Sequence, residues 1–167
     1  NLISPRPATV AEARIALREG EVLLSMLTTD DQTYVWAVPK SGTVVFHAAP
    51  LGEKAAAEAV SVLRKALDVG RVTLDAVPEF DVMTAHRLYT TLLQPAAAAW
   101  QGAHTLMVVA NGALAQLPLG LLPTGPATPG AETGSRFSGY QAVPWLLKQL
   151  AVAQLPAVNT LTTLRRL

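Results

Sequence analysis

Along this chain the spacing of apolar positions switches between two periods, and each switch marks a predicted element. Residues 1–9, NLISPRPAT, hold two prolines, show no period and read as a leading linker. Thr9 followed three residues later by Glu12 has the form of a capping box, which predicts a short helix through Leu17, stopped by Gly20. Three β-rich runs come next, 21–27, 34–38 and 43–47, divided by the turn sequences TTDDQT and PKSG. Connections this short force antiparallel neighbours, hence a three-stranded meander. Such a sheet needs cover on its apolar face. Segment 53–68 supplies it: Ala56, Val60, Leu63 and Leu67 recur at helical spacing, most charges fall elsewhere, and Gly70 closes the helix. A second helix starts with Asp81 as N-cap and carries the stripe Ala85, Leu88, Tyr89, Leu92 and Leu93. Pro95 breaks it and opens a short continuation, AAAAW.

The run LMVVANGALAQLPLGLL, 106–122, admits three readings: a membrane span, a nucleophile turn or the centre of a buried sheet. From Leu88 to Ala131 the only ionisable side chain apart from tyrosine is His104. A membrane helix needs about 20 unbroken apolar residues, and Asn111-Gly112, Gln116, Pro118 and Gly120 interrupt this run. The hexapeptide TLMVVA, 105–110, is instead bounded by Gly102 and Asn111-Gly112. That pattern fits a strand covered on both faces, in a parallel or mixed sheet flanked by helices. Residues 123–140, rich in Gly, Pro, Ser and Thr, read as a long exposed loop. A turn, a strand near 149–154 and a final helix from about Ala157 complete the chain. The fold class is therefore α/β: a mixed sheet, antiparallel meander plus parallel strands, flanked by helices.

A chain of 167 residues fits one domain. Half of the residues are hydrophobic but only 5% are aromatic, so Leu, Val and Ala must build the core. Thirteen basic against twelve acidic residues leave a net charge of +1, which gives no basic stripe for nucleic acid or an anionic membrane. The pair Arg165-Arg166 is too short to count as one. The absence of cysteine removes disulfides, thiolate metal sites and cysteine nucleophiles, while leaving the redox compartment open. The chain begins with Asn rather than Met and is read as a piece of a longer protein; a removed leader stays open.

Chemistry is sparse. No G-x-S-x-G elbow and no phosphate-cradling glycine pattern occurs; Gly134-Ser135 and Ser138-Gly139 have the wrong spacing. His47, His86 and His104 are isolated from one another, without the short spacing that zinc ligands use. They read as exposed or hydrogen-bonded histidines. Asp30-Asp31 fits a hairpin turn. Asp75, Glu79 and Asp81 lie around a helix start, where the dipole favours negative charge. Trp36, Trp100 and Trp145 are too scattered for a stacking platform and are assigned to core or subdomain contact. From the residues alone this is a soluble α/β domain with no catalytic residue, cofactor site or metal site.

Several stretches, in order, resemble the CHAT domain, a bacterial caspase-like module often found after tetratricopeptide repeats. TVAEARIALREGEVLLSMLTTDDQTYVWAVPKSGTVVFHAAP is similar to its opening: a short helix, L-x-x-G-E-x-L-L, an acidic turn, then Y-x-W-x-V. LYTTLLQP resembles L-Y-x-x-L-L-x-P, LMVVANGALAQLPLGLLP resembles L-I-I-V-P-D-G-x-L-x-x-L-P-F-x-A-L, and LAVAQLPAVNTL resembles the x-V-S-Y-x-P-S-x-x-x-L strand and helix start. The likeness runs from about residue 8 to 167. Asn111 stands for the usual Asp and Ala110 for the usual Pro; Asn-Gly is expected to keep the turn because both residue pairs tolerate positive φ.

The family's later H-x-x-x-H-G strand end and L-S-x-C nucleophile are absent, so no catalytic role passes to His47, His86 or His104. The resemblance therefore implies the N-terminal, non-catalytic subdomain, residues 10–167, of a cytoplasmic cysteine endopeptidase. Its implied partners are the missing catalytic half and upstream repeats. The alternative is a stand-alone protein- or peptide-binding or signalling module. Apolar surface left without its catalytic half predicts self-association, as a symmetric dimer.

Overall fold

The computed structural model describes residues 6–70, 73–129 and 137–165. Its centre is a mixed five-stranded sheet of order β3-β2-β1-β4-β5. The strands are β1 (Glu21–Thr28), β2 (Thr33–Pro39), β3 (Val45–Ala49), β4 (Thr105–Val109) and β5 (Ala151–Leu155). β1, β2 and β3 form the antiparallel meander. β1, β4 and β5 run parallel. The α/β reading and the mixed sheet both hold.

Period two sorts the side chains between two faces. One face carries Val22, Leu24, Met26, Val35, Ala37, Ala49, Leu106 and Val108, all buried in the main core. Over it lie α2 (Glu53–Arg64), α3 (Val82–Leu88) with its continuation, and the 3₁₀ segments Gly112–Gln116 and Leu119–Leu121. The other face holds a smaller cluster of Ala13, Ala16, Leu17, Leu23, Val38 and Leu161, under α1 (Val10–Ala16) and α4 (Val158–Leu164). β4 is thus an interior strand between β1 and β5, covered on both sides but unequally. Leu106 and Val108 are sealed, while Met107 and Val109 are half-buried. Two short helices cannot span five strands. The meander's outer face, with Tyr34, Trp36 and Phe46, stays partly open, and Phe46 is 53% exposed.

Local expectations were met at the caps. Thr9 accepts from the Glu12 N–H at 3.2 Å while the Glu12 carboxylate accepts from the Thr9 N–H at 2.8 Å, closing the capping box. Asp81 caps α3 through the Thr84 N–H at 2.8 Å.

Several boundaries moved. α2 ends at Arg64, not Asp68, because Leu67 and Asp68 both turn back to the Arg64 carbonyl and Arg64 itself reaches out to the Gln116 carbonyl at 2.9 Å. Leu67 leaves the buried stripe and becomes a rim residue. β3 starts at Val45, not residue 43; its register pairs Ala37 with Val45 and Thr33 with Ala49, which turns Val45 and Ala49 inward. β5 begins at Ala151, after a 3₁₀ turn Leu146–Lys148. After α3, Pro95 does not end the helical path. A π turn, Tyr89–Leu93, is followed by a 3₁₀ segment, Gln94–Trp100, with Pro95 in its first turn, where a missing N–H costs nothing. Leu88, Tyr89, Leu92, Leu93 and Ala96 stay buried throughout.

The reading of 123–140 as one long exposed loop fails at both ends. Pro123 is buried and bridges Trp145, the Thr124 N–H donates to the Pro144 carbonyl at 2.8 Å, and Ser138–Ala142 forms a 3₁₀ turn. Prolines and glycines erase the helical and strand periods, yet the aromatic side chains of this stretch still anchor it. Its middle, 130–136, lies outside the described residues.

Candidate functional site

In open sheets with parallel strands, ligands sit beyond the carboxyl ends of the strands, where the chain leaves in opposite directions from adjacent strands. Here that place is between β1, which departs toward β2 and β3, and β4, which departs toward β5. Asn111 occupies it. Its Oδ1 accepts from the Thr28 N–H at 2.7 Å, and its Nδ2 donates to the Thr28 carbonyl at 3.0 Å. The side-chain amide copies a peptide group and adds one rung to the β1–β4 ladder.

This geometry changes the meaning of Asn111. Its φ is −111°, so the left-handed conformation falls on Gly112 alone, at φ 57°. The expectation that Asn and Asp are equivalent here, because both tolerate positive φ, is therefore corrected. What matters is one donor beside one acceptor, which an amide has and a carboxylate lacks. Asn111→Asp should cost about 1 kcal/mol at neutral pH, since the Thr28 carbonyl would face a carboxylate oxygen. Below the ordinary aspartate range the introduced carboxyl regains a proton to donate, and the gap should narrow. Urea midpoints of both proteins at pH 7 and pH 3 test this; a gap independent of pH would refute the rung.

The three histidines stay apart, and each is tied to a main-chain carbonyl. His47 Nε2 contacts the Leu92 carbonyl at 2.9 Å, His86 Nδ1 that of Pro123 at 3.0 Å, and His104 Nε2 that of Glu19 at 3.1 Å. A carbonyl only accepts, so each of these ring nitrogens carries its proton. They clamp β3 to the π turn, α3 to the 123 corner and β4 to the α1–β1 turn. No group of three His, Asp or Glu side chains that could hold a metal ion occurs among the described residues.

The carboxylates are equally local. Asp30-Asp31 forms the β1–β2 turn, framed by Thr29 N–H donating to the Gln32 carbonyl at 2.9 Å. The Thr84 N–H holds the Asp81 carboxyl below its ordinary range, with the Thr84 hydroxyl and Arg87 adding to the effect. Glu12 is lowered in the same way by Thr9. Burial pushes the Tyr89 hydroxyl up, and the His86 ring stacks on the Tyr89 ring at 6.4 Å, centroid to centroid.

Aromatic residues are where the sequence reading missed most. Two of the three tryptophans gather other rings. Trp36 lies 5.2 Å from Phe46 and 6.1 Å from Tyr34, centroid to centroid, on the open sheet face. Trp145 lies 5.7 Å from Phe80 and 6.3 Å from Tyr140. The Tyr140 hydroxyl accepts from the Phe80 N–H at 2.9 Å and donates to the Phe80 carbonyl at 3.2 Å. Trp145 Nε1 donates to the Tyr140 carbonyl at 3.0 Å. These rings wall an apolar cavity of about 340 Å³ against the end of α2. A second, more polar cavity of about 730 Å³ carries Ser61, Arg64, Lys65, Asp68 and Gln116 beside apolar residues, and Pro78 lines both. Phe80 and Tyr140 are sixty residues apart, so no spacing rule could have paired them.

Among the described residues the sheet has two edges, β3 and β5, with no strand paired outside either. No helix is long and apolar enough to cross a membrane among the described residues. Comparison with protein-family models, curated proteins and solved structures found no match to this chain.

Proposed function

We propose that this chain is the N-terminal, non-catalytic portion of a CHAT-domain, caspase-like cysteine endopeptidase, and that it works as a scaffold for a catalytic half. The observation that carries this reading is the outer edge of β5. Three strands, β1, β4 and β5, run parallel, and among the described residues no strand pairs with the outer side of the last of them. β5 is exposed or half-buried along its whole length. An edge of this kind is a template for another strand. In the proposed assembly the next parallel strand comes from the catalytic half and brings the histidine and cysteine this chain lacks. Without cysteine, this portion has no thiolate nucleophile of its own. The order of the motifs quoted above supports the same family, and upstream repeats would then signal through α1. The cytoplasm is the proposed location.

Asn111, in place of the family's Asp, takes no part in chemistry on this reading; it holds β4 to β1. A stand-alone peptide-binding module is the second reading, favoured by the same edge, which could add a peptide strand instead.

Assays with casein and fluorogenic peptides should show no hydrolysis by the 167-residue chain. Co-expression with the product of the coding sequence that follows Leu167 should give a stable complex holding a histidine strand and an S-x-C segment. Turnover by this chain that vanishes on one substitution would refute the scaffold role; a reading frame that stops at Leu167 would favour the peptide-binding module. Alone, the chain is proposed to self-associate as a symmetric dimer through its uncovered surface. Phe46, Leu27 and Ile15 are 53%, 47% and 80% exposed. A monomer in light scattering at high concentration would count against that.

A further inference from the structure

The chain has three Phe, three Tyr and three Trp, and four of these nine, Phe80, Phe137, Tyr140 and Trp145, line one cavity. Phe80 and Trp145, Phe137 and Tyr140, and Tyr140 and Trp145 meet there with ring centroids 5.7, 6.0 and 6.3 Å apart. The cavity's volume, about 340 Å³, lies at the lower end of small-molecule sites. Its polar handles are already used: the Tyr140 hydroxyl and the Trp145 N–H both bond to main chain. The walls therefore offer apolar surface only. Phe137 holds a φ of 70°, the only positive φ outside glycine among the described residues. For a bulky side chain that conformation is strained, and strain of this kind clusters at functional sites.

The neighbouring polar cavity supplies what the first lacks. The turn that follows α2 contributes to both, with Leu67 in one and Lys65 in the other. Arg64 is held by Asp68, Nε to Oδ2 at 2.8 Å, and by the Gln116 carbonyl. Ser61, Lys65 and the Gln116 amide are exposed. With Arg64 and Asp68 neutralising each other, Lys65 leaves this cavity with one positive charge.

We propose that the two cavities together bind a small amphipathic carboxylate, its aryl or alkyl body among the four rings and its anionic end at Lys65, Ser61 and Gln116. Aromatic rings beside an acidic rim would have indicated an alkylammonium ligand; the ammonium of Lys65 repels one. This inference does not rest on the peptidase reading.

The test titrates the whole chain with 4-phenylbutyrate, 4-phenylbutan-1-ol and 4-phenylbutylamine, followed by amide NMR shifts and tryptophan fluorescence. A ligand of this size should bind the carboxylate form with a Kd on the order of 1 mM. Saturable shifts should fall on Leu67, Phe80 and Trp145. The exposed charge should favour the acid over the alcohol about threefold and over the amine about tenfold. Lys65→Glu, a substitution on an exposed position, should reverse that order while the protein stays folded. Ala66→Trp, which fills the apolar cavity, should abolish all three interactions. Should Ala66→Trp fail to fold, the charge reversal still decides. Equal binding of the three compounds, an order unchanged by Lys65→Glu, shifts centred on Tyr34, Trp36 and Phe46, or no saturable binding would each overturn the proposal.

Discussion

Gly52→Ser should destabilise the protein by about 3 kcal/mol, lowering Tm by about 10 °C, although serine is the better capping residue. Gly52 is the N-cap of α2, with φ −83° and ψ 174°, so no unusual backbone conformation calls for glycine. What calls for it is distance. A Cβ at this position would overlap the Asp30 carbonyl oxygen and lie 2.8 Å from its carbon. Both sides of that contact are main chain, and no side chain can swing away. The approach is held by the Glu53 N–H, which donates to the Thr29 carbonyl at 2.9 Å. The first turn of α2 is thus docked on the β1–β2 turn, and α2 carries Ala56, Val60 and Leu63 into the main core. Gly125→Ala is the control. A Cβ there meets only the Pro144 ring at 3.7 Å, and its φ is unremarkable, so its effect should stay within about 0.5 kcal/mol. Thermal and urea unfolding of both variants decide the matter. A Gly52→Ser protein as stable as the parent would show that the contact is not as close as described.

The second large effect concerns Glu21 and Arg165. Glu21 begins β1 with its side chain 8% exposed, and Arg165 follows α4 with its side chain 21% exposed. Arg165 Nη2 donates to both carboxylate oxygens, at 2.7 and 3.0 Å, and the Arg18 N–H donates to Oε2 at 2.8 Å. The two deletions should be unequal. Glu21 is fixed in a strand, so Arg165→Met leaves a carboxylate buried with one main-chain donor, at a cost of about 3 kcal/mol. Arg165 ends a helix and can turn its guanidinium into water, so Glu21→Met should cost only about 1 kcal/mol. The double variant should fall near the milder single one, because no buried charge remains. A double-mutant cycle in urea reads all three. Equal single effects, or a double variant as unstable as their sum, would contradict this account.

These cases show what was legible in the chain. The capping box at Thr9 and Glu12, the Asp81 cap, the meander and β4 as an interior strand were all readable, whereas its second face is only half-buried. Each depends on neighbours within a turn or on a period of two or 3.6, which backbone geometry imposes locally. Asn111 was singled out for the wrong reason: its two bonds to Thr28 cross 83 positions, whereas turn rules look four residues wide. Gly52 was invisible because its requirement comes from Asp30, not from its own φ.

The site was less legible than the fold. The aromatic cavity depends on Phe80 meeting Tyr140, and β5 was recognisable as a strand but not as an edge. By itself, then, the sequence determined which segments coil and which extend, where helices start, and that no thiolate chemistry belongs to these residues. Only the tertiary structure decided which face is fully covered, which glycine is indispensable, and which rings converge on one cavity. The physical reason is reach. Backbone preferences act over a few residues, while packing joins surfaces whose separation along the chain carries no period to read.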